Sequence, residues 1–354
     1  MATGTRFLGV ATAVAVLAGA PAAFAEDYYA GKTINFIVGF APGGGTDTVW
    51  RAVAAHIGKH IPGKPNIVVQ NMEGGGGMNA ANFVYEKARK DGLQISTGPW
   101  NSMGALTGAP NVRVDYTKSP FIGGFPEVLI NFTRTDVVPG GLKSPADIGK
   151  AENLIVAGLR PDSSQDLLMR LSLDLLGVKY KYVPGYPGAA KRRAALLSGE
   201  AGLTSIGYSE FKASIEPTAV AKGDIMGLWY HSRGAVPSIK DVAHFPAFYE
   251  KVKGQKLAGE KAEMLDTIYL ATGVFLHALF APPGTDPEAL KALKIGYDRL
   301  MKDEEFQKFA MKTFNIPIDF VTQEEGEAAI QKLLGKPDKA KIDKLKAYIS
   351  EGSK

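Results

Sequence analysis

Four short stretches carry the residue types that hold anions without needing a charged side chain. Residues 43–47 read Gly43-Gly44-Gly45-Thr46-Asp47, preceded by Ala41-Pro42. Residues 74–77 are Gly74, Gly75, Gly76 and Gly77. Residues 161–164 end in Ser163-Ser164, and residues 184–189 contain Tyr186-Pro187-Gly188. Each follows a strand-like run and opens a helix-like one. A helix start offers unpaired N–H groups and the positive end of the backbone dipole. Glycine lets the backbone come close to a bound group. Each N–H contact to a charged group contributes roughly 1.5–3 kcal/mol, so a few such loops converging on a cleft hold a small carboxylate. The plainer alternative is that these glycines only make turns, and for a single loop that alternative is favoured. Four loops of one design shift the balance toward a binding role.

Other patterns do not survive their context. Residues 58–64 match the spacing of a phosphate loop, but Pro65 stands where Ser or Thr is needed and the segment ends a helix. Residues 75–80 fit a dinucleotide pattern, yet no acidic residue follows at a suitable spacing. There is no G-x-S-x-G elbow and no H-E-x-x-H pair. His56 and His60 are four apart on a predicted helix, too few ligands for a metal. No catalytic residue, metal or cofactor is expected. Asp47 has two readings, as a helix cap or as an acceptor for a ligand hydroxyl or amine.

The elements that position these loops follow from hydrophobic periodicity. Strands are predicted at 34–38, 66–70, 93–97, 153–159, 179–183 and 225–230, with an apolar strand at 273–280. Helices are predicted after 46, over 79–89, over 163–176 with Gly177 as the stop, and from 189 to 198. Thr46 or Asp47 is the expected cap of the first helix, and Thr285 with Glu288 has capping-box spacing. Residues 235–263 read as an irregular insertion. Strand–loop–helix alternation argues for a mostly parallel sheet, with ligand loops at the carboxyl ends of the strands.

The chain has 354 residues, long enough for two domains. It has no cysteine, so disulfides and thiol chemistry are excluded. Its net charge of +5 is small and spread out, without a basic stripe for nucleic acid. Arg6, the apolar run 7–20 and Ala23-Phe24-Ala25 form a secretory signal pattern, with cleavage expected after Ala25. The mature protein is expected to be exported.

In order along the chain, the loop 40–47, Asn71-Met72-Glu73-Gly74 to Gly77, Asp91-Gly92, the loop 183–189, the stretch 223–228 and Ala281-Pro282-Pro283-Gly284-Thr285 resemble the Bug-type receptors. These are the extracytoplasmic solute-binding proteins of tripartite tricarboxylate transporters. The resemblance implies an α/β, two-lobed periplasmic-binding-protein fold (a Venus flytrap), each lobe a mostly parallel sheet flanked by helices. It implies a signal peptide over 1–25, one lobe from 26–124 with 228–354, and a second from 125–227. It also implies a small organic acid as ligand, integral membrane permease subunits as partners, no nucleic acid, a periplasmic location and a monomer. The binding residues implied are those of the loops above, with Trp100 and Asn101 after the third strand and Arg160 in the second lobe. Trp100 either stacks on a ligand or plugs the lobe surface; Arg160 either pairs with a second carboxylate or sits on the rim. A ligand sensor and an exported α/β hydrolase are the other functions open to such a sequence.

Overall fold

A computed structural model describes residues 1, 28–98, 101–314 and 320–352. The signal pattern at 1–25, apart from Met1, and Trp100 lie outside the described residues. Two sheets organise the rest. The first has the order β2-β1-β3-β11-β4, with β1 Thr33–Val38, β2 Asn66–Asn71, β3 Gln94–Thr97, β4 Phe121–Phe125 and β11 His277–Phe280. The second runs β10-β9-β5-β8-β6-β7, with β5 Leu129–Arg134, β6 Ile155–Ala157, β7 Lys181–Val183, β8 Leu203–Gly207, β9 Ile225–His231 and β10 Ala243–His244.

β1 is parallel to both neighbours, and β6 to both of its own. The sheets are mixed, however, because the strand that follows each crossing runs against the rest: β11 is antiparallel to β3 and β4, and β5 to β8 and β9. The chain crosses between sheets at residues 126–128. The return expected at 228 comes later, after His244. All of β9 pairs with β5, and β10 adds to β9.

Helices in chain order are α1 Gly45–Ile57, α2 Met78–Lys87, α3 Ser102–Thr107, α4 Ser164–Leu176, α5 Gly188–Leu197, α6 Tyr208–Ser214, α7 Phe245–Lys253, α8 Glu260–Phe275, α9 Pro287–Met301, α10 Glu304–Phe314, α11 Gln323–Ile330 and α12 Lys339–Glu351. On α1, Trp50, Val53 and Ile57 recur at helical spacing and face the first sheet's core beside Phe36. Each such burial contributes about 1.5–3 kcal/mol. Trp50 Nε1 also donates to Gly98 O at 2.7 Å, which ties α1 to the end of β3.

Three expectations change. The stretch 235–263 is not an irregular insertion: it contains β10, α7 and the start of α8. Its Phe245 and Phe248 pack on Trp229 with centroids 5.6 and 5.1 Å apart. The apolar run 273–280 is strand only from His277; before that it is the end of α8. A buried helix and a buried strand give the same continuous apolar signal. Asp286, not Thr285, caps α9, accepting from the N–H groups of Glu288 and Ala289. Thr285 Oγ1 instead donates to Pro282 O at 2.7 Å.

Candidate functional site

A cavity of about 290 Å³ lies between loops of the two sheets. The first sheet contributes Ala41, Gly44, Gly45 and Thr46 from the β1–α1 loop and all of Gly74 to Gly77 from the β2–α2 loop. This wall is mostly backbone. Gly74, Gly75, Gly76 and Gly77 all have positive φ, from 59° to 114°, a conformation in which an L side chain is strained. The two loops also touch: a Cβ on Gly39 would lie 2.6 Å from Gly77 Cα.

Asp47 does not face the cavity. It is buried, and its carboxylate accepts from Gly43 N, Arg51 Nε and Asn71 Nδ2, each at 2.8 Å. Asn71 Nδ2 also donates to Phe40 O. Burial pushes the Asp47 carboxyl up, but the hydrogen bonds from Arg51, Asn71 and Gly43 outweigh it and hold it below its ordinary value. Neither Thr46 nor Asp47 caps α1; Gly44 occupies that position, with no side-chain cap bond. Asp47 folds the loop back on itself instead. Pro42 and Gly43 are exposed and outside the cavity lining.

The second sheet contributes side chains: Arg160, Ser163 and Ser164 at the start of α4, and Pro187 and Gly188 at the start of α5. Ser163 caps α4, its hydroxyl oxygen accepting from Asp166 N at 3.1 Å. Arg160 lines the cavity and turns two of its three nitrogens to the protein itself. Its Nε pairs with Asp162 Oδ1 at 2.9 Å, and its Nη1 donates to Gly76 O at 3.0 Å. Asp162 Oδ2 in turn accepts from Asn101 Nδ2 at 2.6 Å. Arg160 and Asp162 therefore bridge from the second sheet's loop to two loops of the first. Asn101 belongs to that bridge and to the α3 cap, not to the cavity lining. Tyr186 also lies outside the lining; its hydroxyl donates to Glu200 at 2.6 Å.

Comparison with known proteins bears on this arrangement. No family model matches the chain. It is 24% identical to the UPF0065 protein in the gbd 5′ region of Cupriavidus necator, spanning 96% of this chain and 95% of that one. It is 27% identical to the protein BugT of Bordetella pertussis over 82% of each. The chain is thus similar over most of its length to proteins that include a Bug-type receptor. Among solved structures, the periplasmic binding protein BugD superposes with a TM-score of 0.64 at 20% identity, over 90% of this chain and 98% of that one. MatC from Rhodopseudomonas palustris with bound malate gives 0.64 at 20%, over 90% and 99%. Rpa4515 of R. palustris with adipate gives 0.69 at 19%, over 90% and 98%. The fold is the two-lobed α/β fold of periplasmic binding proteins.

Besides Glu73, the cavity is lined by four polar residues that the sequence did not single out: Glu127, Gln165, Arg192 and Glu210. Arg192 is only 3% exposed. Its Nη2 donates to Gln165 Oε1 at 3.1 Å, while its Nε and Nη1, and Gln165 Nε2, have no partner among the described residues. Glu210 on α6 accepts from Arg193 Nη1 at 2.7 Å, and its other oxygen lies 3.1 Å from where a Cβ on Gly45 would be. Glu127, in the crossing segment, pairs with His277 Nε2 at 3.2 Å. Arg192 had a signal: it shares the buried face of α5 with Ala195 and Leu196, where a charge is out of place. Glu210 had one too, since β8 also ends in a glycine that opens a helix.

Elsewhere, His56 Nδ1 lies 2.9 Å from Ala52 O and His60 Nε2 2.8 Å from Asp303, so the two histidines do not share a site. Among the described residues no cluster of metal-ligating side chains is present, and no helix is long and apolar enough to cross a membrane.

Proposed function

We propose that this protein is a periplasmic solute-binding receptor. It captures a small organic carboxylate between its lobes, as a monomer, and delivers it to the integral membrane permease subunits of a tripartite tricarboxylate-type transporter. The observation that carries the reading is the cavity itself. Two glycine loops, each opening a helix, face it from one side, and a buried arginine, Arg192, lines it from the other. Helix starts and a guanidinium both favour a bound anion. Its volume of about 290 Å³ lies at the small end of ligand pockets. The kinship with BugT and the likeness to BugD support a transport-receptor role, and the neighbours bearing malate and adipate support an organic acid. The leader over 1–25 supports export.

In this reading the second lobe runs from residue 126 to the start of α8, and the solute contacts both lobes only when they are together, which shifts the population toward closure. The test is thermal unfolding of the purified protein with organic acids, amino acids and nucleotides, with calorimetry on each hit. A solute at about 100 times its Kd stabilises by about 2.7 kcal/mol, so a carboxylate that binds raises the melting temperature by a few degrees. Stabilisation by nucleotides or neutral solutes, with none by any carboxylate, would overturn the proposal.

A further inference from the structure

A second cavity, of about 240 Å³, lies away from the cleft, between α8, α12 and the turn that joins α11 to α12. The local sequence opens it. α11 runs on into a wider, π-helical turn at Gln331–Gly335, a form that recurs at functional sites. Pro337 stops the helix there, and Asp338 starts α12 by accepting from Ala340 N and Lys341 N. Ion pairs from α12 to α8 stand at the rim: Lys344 with Glu260 at 2.9 Å and Lys341 with Glu263 at 3.7 Å. Below them the lining is hydrocarbon, from Leu106, Met264, Leu270, Leu333 and Leu345. Met264, Leu333 and Leu345 also belong to the buried core, so this floor is packed from behind.

The charges around the floor are of two kinds. Glu260 and Glu263 are paired, and Asp338 is taken up by the cap. Lys332 and Lys336 line the same cavity, and neither has a partner among the described residues. We propose that this cavity binds a short aliphatic carboxylate, its chain over Met264, Leu333 and Leu345 and its head group at Lys332 and Lys336. A wholly apolar molecule would leave the two cations unused, and a small polar anion would leave the floor bare. A cationic amphiphile would find every nearby acid already engaged. The volume lies below the roughly 300–1,000 Å³ of ordinary ligand pockets, which suits a single chain of modest length. The site is separate from the cleft and does not depend on the receptor reading.

The experiment is calorimetry of the purified protein at neutral pH with butanoate, hexanoate, octanoate and decanoate, each below its micelle concentration, and with 1-octanol. Each CH₂ taken from water raises affinity about fourfold, so affinity is expected to climb along the series until the cavity is full. An exposed ion pair adds up to about fivefold. With two lysines, octanoate is expected to bind about tenfold tighter than octanol, and the excess to shrink at high salt. Joint replacement Lys332→Gln and Lys336→Gln brings octanoate down to octanol. Both lysines are exposed, so that variant keeps its fold. Thr267→Trp fills the cavity from α8 and removes binding of both. Octanol binding as tightly as octanoate, or affinity that stays flat along the series, would overturn the proposal. So would no binding at all, or octanoate binding that both variants leave untouched, which would place it in the cleft. The wild-type comparison decides the matter even if the Trp variant misfolds.

Discussion

The two walls of the cleft are built on opposite principles. The wall from the first sheet is backbone, and its one buried acid, Asp47, spends every hydrogen bond on the loop that carries it. The wall from the second sheet is side chain, and its buried cation, Arg192, leaves two nitrogens without a partner in the described protein. A satisfied charge stabilises the fold and is not available to a solute. Buried nitrogens without a partner cost stability. On the receptor reading proposed above, the difference assigns selectivity to the side chains of the second wall and shape to the backbone of the first.

The largest effect is expected where that contrast is sharpest. Arg192→Met takes the nearest cation from buried Asp166 and from Glu210 and Glu127, so the solute-free protein is expected to lose about 3–5 kcal/mol of stability while affinity for the solute falls at least tenfold. Melting curves and calorimetry on the same preparation check both. A melting temperature that rises would show instead that the fold leaves this charge uncompensated.

Next is Gly76→Ala. Residue 76 has φ of 62°, where a Cβ costs about 1–2 kcal/mol, and the added methyl would collide with Arg160 Nη1. Stability is expected to fall by about that amount, and the bridge between the lobes to loosen, read as a larger radius of gyration in solution scattering. Ala tolerated at 76 with no change in either measurement would mean that the first wall adapts and is not a fixed template.

The smallest effect is in pH, and the two walls respond with opposite sign. The Asp47 carboxyl is depressed in the folded protein, so its contribution is present above its ordinary value of 3.8 and is lost as pH falls through the folded one. Glu210 is raised, so its contribution is present below its ordinary value of 4.5 and is lost as pH rises through the folded one. Unfolding of wild type, Asp47→Asn and Glu210→Gln from about pH 3 to about pH 7 separates them. The stability gap between wild type and Asp47→Asn shrinks toward acid. The gap between wild type and Glu210→Gln moves against Glu210 as the pH rises. Slopes of the same sign would remove the distinction.

The first wall was legible in the sequence because it is local. A run of glycines between a strand and a helix dictates its own backbone, and the loops 43–47 and 74–77 announce themselves without knowledge of the rest. The role of Asp47 was not legible, because its partners Asn71 and Arg51 come together only when β2 lies beside β1. The second wall was mostly illegible. Glu127, Gln165, Arg192 and Glu210 come from four segments that meet only because β8 inserts between β5 and β6. Arg160 was visible as a residue, but its bond to Gly76 belongs to the opposite sheet. The helix at 260–275 was hidden by its own apolarity.

On the receptor reading proposed above, the bridge of Arg160, Asp162 and Asn101 has a consequence for what a membrane partner reads. It fastens the lobes with the protein's own groups alone. Whatever fraction of molecules it holds together in the absence of solute multiplies the apparent affinity, because that fraction is already competent to bind. The same fraction is a background that a partner reading the fastened shape cannot tell from a loaded receptor. Tightening the bridge therefore improves scavenging at low solute and raises idle traffic at the permease, and Asp162 is the atom-scale control between the two.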